Sequence, residues 1–523
     1  MPVRGRRPTY RDGTMTRPTI SRTVRSRLLV SAMVTAMVGV TACSGGGGAG
    51  GPERSPTSPE AAPRPVPSSD LNVMVFVMDD AGDVSCRDFG RSMPKSAALL
   101  RDRGRCFEGA QANAPSCAPS RAALMTGQNL HNNGVLDNQS APNIDVTHTV
   151  QHQLEQAGWN TYGTGKFFNG IKVWDVESGK RPSGFGSSDF WSSSKPLGYK
   201  LWDEETQSPQ KPERNIHATT RVGMFLRSFI KSQADSERPF YAYAAFKAPH
   251  TDNSAPTLEA RLPKATKANR TREVPPFRYD PEADTRDKLP IFQQQLAKRE
   301  YYARFHQARA RATYDVDDEM GKAIDLLREQ GELANTAIFL TSDQGYHLGE
   351  NGWETKGDPY PTTLDVPLLA WLPSRFGEGK VDRSPVQLLD VAPTIYDLTG
   401  VEPDYQVDGR SMLRRQPGGA TYAEVVNKKA KLSYPKEGFA PGRVPSWSAL
   451  RRGPAAYIEY YDKDGARIRR EFYRDPGMKR NLLWQGHRAD RPSDATLARF
   501  SRDLRRARTC AGAEGSGAPN PCP

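Results

Sequence analysis

Residues 71–78 read Leu-Asn-Val-Met-Val-Phe-Val-Met. A run this nearly apolar has no polar stripe for water, so it reads as a strand buried on both faces of a sheet. Such strands need helices above and below them, and the chain supplies the pattern. Helical segments are expected at 96–103, 150–157, 221–232, 298–330 and 390–398. Strands are expected ending at Gly165 and at 239–246, and further buried strands at 336–342 and 367–372. Gly331 follows the longest helix as a C-terminal stop. Alternation of this kind predicts an α/β fold: a large, mostly parallel sheet flanked by helices on both faces. From about residue 418 the texture changes to short strands at 422–426, 448–452, 455–461 and 467–473, with a hairpin turn at Asp462-Lys463-Asp464-Gly465. A basic helix follows near 495–508. The segment is read as a smaller C-terminal subdomain containing an antiparallel sheet. Polar, Pro-rich residues 251–300 read as an insertion near the mouth of the site.

The N-terminus is set aside before the fold is considered. Residues 4–27 hold eight arginines and one acid, Asp12, and a mostly apolar run follows at 28–40. Thirteen residues cannot span a bilayer, which takes about 20. Then comes Val40-Thr41-Ala42-Cys43. The order resembles a bacterial lipoprotein signal, which implies lipidation of Cys43 and anchoring at the outer face of the cytoplasmic membrane. Met15 is an alternative start. Residues 43–69, rich in Gly, Ser and Pro, read as a tether. The expected boundaries are 1–42 leader, 43–69 tether, 70–417 catalytic domain and 418–523 C-terminal subdomain and tail.

The leader supplies +7 of the formal +13, so the remainder carries a mild +6. That suits an anionic substrate or envelope and gives no nucleic-acid footprint. There are six cysteines. With Cys43 and Cys117 assigned elsewhere, Cys86, Cys106, Cys510 and Cys522 allow three pairings in an oxidising compartment. Cys510 with Cys522 and Cys86 with Cys106 are preferred, with Cys86 and Cys106 as free buried thiols the alternative.

The most specific motif is Cys117-Ala118-Pro119-Ser120-Arg121, continuing to Leu124-Met125-Thr126-Gly127. It resembles the sulfatase signature, C-x-P-S-R-x-x-x-[LM]-T-G, at every fixed position. The resemblance implies that a separate formylglycine-generating enzyme oxidises Cys117 to formylglycine. The hydrated aldehyde has two hydroxyls: one attacks sulfur, and the other later loses its proton and expels sulfate. Cys117 at a helix start would sit among backbone N–H groups that favour anions. Arg121, one turn on, would hold the ionised hydroxyl.

Asp79-Asp80 and Asp343-Gln344 each end a predicted strand. In an open α/β sheet, ligands bind beyond the carboxyl ends of the strands. Together with Cys117, these oxygens suit one hard cation, Ca²⁺ or Mg²⁺. The resemblance implies that role, although the family usually has Asn or His where this chain has Gln344. It also implies a bridge from Lys166 between sulfate and the nucleophile, with His250 and Lys356 on the leaving-group side. Many sulfatases carry a histidine at the Phe168 position; here Asn169 or His131 is the alternative. Two short stretches, His131-Asn132-Asn133-Gly134-Val135 and Lys166-Phe167-Phe168-Asn169, most resemble the N-acetylglucosamine-6-sulfatase and heparan-type branch. The expected substrate is a sulfated small molecule or glycan. Rival readings are a phosphonate or phosphate ester hydrolase of the same superfamily, and a lipoprotein that binds sulfated glycans without cleaving them.

Overall fold

Val73, Val75 and Val77 point to one side of the first strand and Met74, Phe76 and Met78 to the other, and all six are buried. Each such side chain contributes about 1.5–3 kcal/mol when removed from water, so this strand must lie at the centre of a sheet covered twice. A computed structural model of the chain describes residues 70–522, apart from 83–84, 192–195, 204, 253–254, 294–296, 377–378, 415–418, 428–443 and 514–516. The expected leader, Cys43 and tether lie outside the described residues. Among the described residues no helix is long and apolar enough to cross a membrane.

The main sheet uses β1 (Asn72–Met78), β2 (Arg105–Phe107), β3 (Asn160–Gly165), β4 (Ser187–Phe190), β5 (Phe240–Ala245), β6 (Thr336–Ser342), β7 (Leu368–Trp371) and β8 (Lys380–Asp382). Their spatial order is β8-β2-β7-β6-β1-β5-β3-β4. Every neighbouring pair is parallel except those made by β7, which runs antiparallel to both β2 and β6.

Helices α1 (Pro94–Leu100), α2 (Cys117–Thr126), α3 (Val150–Gln156), α4 (Ala218–Ser232), α5 (Arg299–Glu329) and α6 (Val391–Thr399) cover the sheet. One face packs on α2, α3 and α6 through Ala122, Leu154 and Ile395. The other packs on α1, α4 and α5 through Leu100, Leu226 and Met320. On α5, Ala312, Val316, Met320, Ile324 and Leu327 recur at helical spacing along the buried stripe. The helix ends at Gly331, whose φ of +79° is the left-handed stop expected there.

The C-terminal sheet consists of β9 (Thr421–Val425), β10 (Ser446–Arg452), β11 (Ala455–Tyr461) and β12 (Arg467–Tyr473), all antiparallel and in chain order. One face packs Trp447, Ile458 and Tyr460 against Trp353 and Tyr360 of the main domain. The other carries the last helix, α7 (Asp494–Ala507), through Leu497, Phe500 and Leu504. Disulfides join Cys86 to Cys106 and Cys510 to Cys522.

Candidate active site

Strand register brings the two acidic motifs together. Met78 pairs with Ser342, so Asp79 and Asp343 leave adjacent parallel strands at the same level. The Asp80 N–H donates to Asp343 Oδ1 at 3.1 Å. Asp80 has φ +65°, a left-handed conformation that aspartate tolerates better than branched residues do. Its carbonyl accepts from the guanidinium of Arg309, in the middle of α5. Lys166 follows β3 and His250 follows β5, and these strands also pair in parallel. At Gly165, φ is +94° and an added Cβ would lie 2.0 Å from the Ala245 carbonyl oxygen, so only glycine lets the two strand ends approach this closely. Cys117 is the first residue of α2.

These elements converge on the Cys117 sulfur. Lys356 Nζ lies 3.1 Å from it, Gln344 Nε2 3.4 Å and Asp79 Oδ1 3.5 Å. Lys166 Nζ is 2.5 Å from Asp79 Oδ2, and Lys356 Nζ is 2.5 Å from Asp80 Oδ1. Gln344 Nε2 donates to the same Asp80 oxygen at 2.5 Å. His250 Nε2 stands 3.5 Å from Asp80 Oδ2. Arg121 donates from Nε to Asp343 Oδ2 at 2.9 Å and from Nη1 to the Lys166 carbonyl at 3.1 Å, while its Nη2 is buried and makes no hydrogen bond among the described residues.

The charges explain one another. Burial alone would raise the Asp79 carboxyl, but Lys166, His250, Arg121 and Lys356 outweigh it and hold it well below the usual range. Burial would lower Lys356, yet Asp80 above all keeps its ammonium well above the usual value. For Cys117 burial wins over the pull of Lys166 and Lys356 and pushes the thiol up. The resting sulfur is therefore a neutral thiol, a poor nucleophile as it stands. Burial, with Lys247 adding to it, brings His250 down to about 4, so the ring is neutral at pH 7. Its Nδ1 lies 2.6 Å from the Thr251 carbonyl and so carries the hydrogen, which leaves Nε2 as a lone pair facing Asp80.

Two oxygens in the cluster, Asp80 Oδ2 and Gln344 Oε1, are buried and make no hydrogen bond among the described residues. The ligating atoms of Asp79, Asp80, Cys117 and His250 all lie within 4.8 Å of one another. Unsatisfied buried oxygens beside two aspartates fit a hard divalent cation. With its amide turned, Gln344 would offer Oε1 as a ligand in place of the donor Nε2.

One expected residue belongs elsewhere. His131 sits in the helical turn Leu130–Asn133, beyond the far end of α2. Its Nδ1 is 2.7 Å from Glu424 Oε1 in β9 and its Nε2 is 3.0 Å from the Cys510 carbonyl, so one nitrogen is engaged with the C-terminal sheet and the other with the tail. It is corrected from catalytic to structural. Phe168 is a buried core residue whose ring centre is 4.6 Å from that of Phe167. Asn169 Oδ1 is buried and makes no hydrogen bond among the described residues.

Sequence reasoning missed Lys247 and Arg309. Burial, with Lys166 adding to it, lowers Lys247 to about 8. Its position just past the end of β5 was the available signal. Arg309 gave no signal, being one arginine among several on a long polar helix.

A family model described as Sulfatase matches residues 71–401. The extracellular sulfatase SULF-1 homolog of Drosophila melanogaster is 30% identical over 354 residues, which is 65% of this chain and 31% of its own length. An N-acetylglucosamine-6-O-sulfatase of Bacteroides thetaiotaomicron is 27% identical over 398 residues, covering 65% of this chain and 70% of its own. The chain spans less than half the length of the first animal relatives it matches. A protein solved in complex with its substrate D-glucosamine-2-N,6-O-disulfate superposes with a TM-score of 0.60 at 20% identity, over 84% of this chain and 96% of that one. The two share a fold.

Proposed function

The chain belongs to the sulfatase family, and on that premise we propose that it hydrolyses sulfate monoesters, using residue 117 as the nucleophile after its oxidation to formylglycine. The observation that carries this reading is the placement of the Cys117 sulfur at a helix start, within 3.5 Å of Lys356, Gln344 and Asp79. The neutral buried thiol supports it from the other side, since an unmodified cysteine here is neither thiolate nor exposed. Oxidation replaces sulfur with an aldehyde whose hydrate offers hydroxyl oxygens, which match the ligand preference of a hard cation better than a thiol does.

Asp79, Asp80, Asp343 and Gln344 would hold a divalent ion, Ca²⁺ or Mg²⁺, whose contribution is charge that favours an ionised hydroxyl and screens the sulfate. The chain's own groups do the rest. Lys356, against residue 117, and Lys166, against Asp79, hold positive charge where a sulfate oxygen would gain most from it. Lys356 carries protons at pH 7 and suits the leaving oxygen. Neutral His250, with Nε2 a lone pair, first accepts a hydrogen bond or proton and is the weaker donor. Arg121 fixes Asp343 and the Lys166 backbone.

For the substrate we favour a sulfated amino sugar, supported by the Bacteroides relative named as an N-acetylglucosamine-6-O-sulfatase. The proposal extends to export and lipid anchoring through Cys43, checked by detergent partitioning of the wild type against Cys43→Ala. The decisive test of the nucleophile is the mass of the peptide containing residue 117. A loss of about 18 Da relative to cysteine, together with release of sulfate from an aryl sulfate, supports covalent catalysis by formylglycine. An unmodified thiol in active protein, or faster turnover of an aryl phosphonate than of the sulfate, overturns it.

A further inference from the structure

Beside the cluster opens a cavity of about 610 Å³. Its lining adjoins the site: Ala81 and Gly82 follow Asp80, Pro249 precedes His250, and Arg309 donates to the Asp80 carbonyl. Its outer wall is the segment 275–278, fastened to α5 by a 2.9 Å hydrogen bond from His306 Nε2 to the Pro275 carbonyl. Phe277 lies against the His306 ring with centres 5.3 Å apart. Aromatic and proline surfaces with hydroxyls between them, here Tyr346, Phe277, Pro249, Thr313 and Thr362, suit a sugar ring better than a lipid tail.

Three arginines and three acids line this wall, but they are not all paired with one another. Asp88 is paired with Arg91 at 3.3 Å, and Asp365 is paired with Arg451. Glu350 accepts from the Leu348 N–H at 2.6 Å and lies 3.8 Å from His347. Arg278, exposed at the rim, and Arg309, deeper in, form no ion pair among the described residues. Arg309 uses Nη2 on the Asp80 carbonyl, while its Nη1 is buried and makes no hydrogen bond among the described residues. A buried guanidinium N–H left unpaired is costly, and a charged oxygen is its best partner.

We propose that this cavity takes the alcohol half of the substrate, and that Arg309, with Arg278 at the rim, binds a second anionic group on that sugar, a sulfate or carboxylate. The inference rests on the sulfate-ester reading of the neighbouring cluster. It makes the preferred substrate a dianionic saccharide and separates it from singly sulfated sugars and aryl sulfates.

The test is equilibrium binding by calorimetry with the full chain as Cys117→Ala, in calcium, so that nothing turns over. The probes are glucosamine 6-sulfate with and without a second sulfate on N2. One charge-assisted contact predicts about 10- to 100-fold tighter binding of the disulfated sugar. Arg309→Met should bring the ratio near unity, Arg309→Lys should restore part of it, and Arg278→Ala should lower it by a smaller factor. Using the ratio removes any general loss from disturbing Asp80. Equal binding of the two sugars overturns the proposal, as does a ratio that survives Arg309→Met in protein that still melts cooperatively. If Arg309→Met does not fold, an unchanged ratio in Arg278→Ala overturns it instead. Sulfate release from the disulfated glucosamine by the wild type is read separately. Release without the binding preference sinks the anion subsite alone, and preference without release sinks hydrolysis alone.

Discussion

Asp80 is held by three elements at once: Lys356 and Gln344 on its carboxylate and Arg309 on its carbonyl. Lys356 serves both that carboxylate and the nucleophile position, so Lys356→Ala should lower kcat on an aryl sulfate by on the order of 10²–10³-fold, as loss of one preorganised charge donor does elsewhere. A fall below about 10-fold would remove Lys356 from the chemistry. Gln344 tests the cation. Gln344→Leu keeps the volume but deletes the oxygen, and should weaken calcium binding in a titration, whereas Gln344→Asn should retain most of it. His131 is informative for a different reason. Burial would lower its pKa, but the hydrogen bond that it donates to Glu424 and that residue's charge raise it above the ordinary value. Its contribution to stability, about 1.5–3 kcal/mol for a charge-assisted bond, is therefore complete below the ordinary histidine pKa and fades as pH rises through the raised one. The melting difference between wild type and His131→Gln should be largest near pH 5.5–6 and shrink in alkali. A constant difference would mean that the ring stays neutral.

Cys117 opens α2 and four strands deliver their carboxyl ends around it, so the site depends on how closely those ends can approach. One such close approach is between β3 and β5 at Gly165. Gly165→Ala demands both a left-handed alanine and displacement of the Ala245 carbonyl, at a cost of about 2 kcal/mol or more. Chemical denaturation should show that loss, and activity should fall further than stability because Lys166 is the next residue. The long strands and helices were legible because their apolar periodicity exceeds a turn or two. Strands β2, β4 and β8, of three or four residues each, were not. So few positions carry no period, and they are strands only because a neighbour supplies hydrogen-bond partners. The reversal of β7 was hidden too, since a buried strand has the same composition in either direction.

Across the whole molecule, the C-terminal sheet packs against Trp353 and Tyr360, close in sequence to Lys356, and the tail returns to the main domain through His131 and the Cys510–Cys522 bridge. Closing this short loop should add about 3 kcal/mol by restricting the unfolded chain. Replacing both cysteines with serine should lower the denaturation midpoint while leaving aryl sulfatase kcat near wild type, because the bridge lies on the side of α2 away from Cys117. A matching loss of kcat would show that the tail shapes the site. By itself, the sequence determined the α/β layering, the helix-start cysteine and the acidic pairs at strand ends, because periodicity and local motifs are properties of neighbouring residues. Only the tertiary structure decided that His131 serves the tail, that Arg121 holds Asp343, and that Arg309 reaches Asp80 from 229 residues away. Those roles depend on which distant side chain fills the space next to a charge, and chain order does not encode that distance.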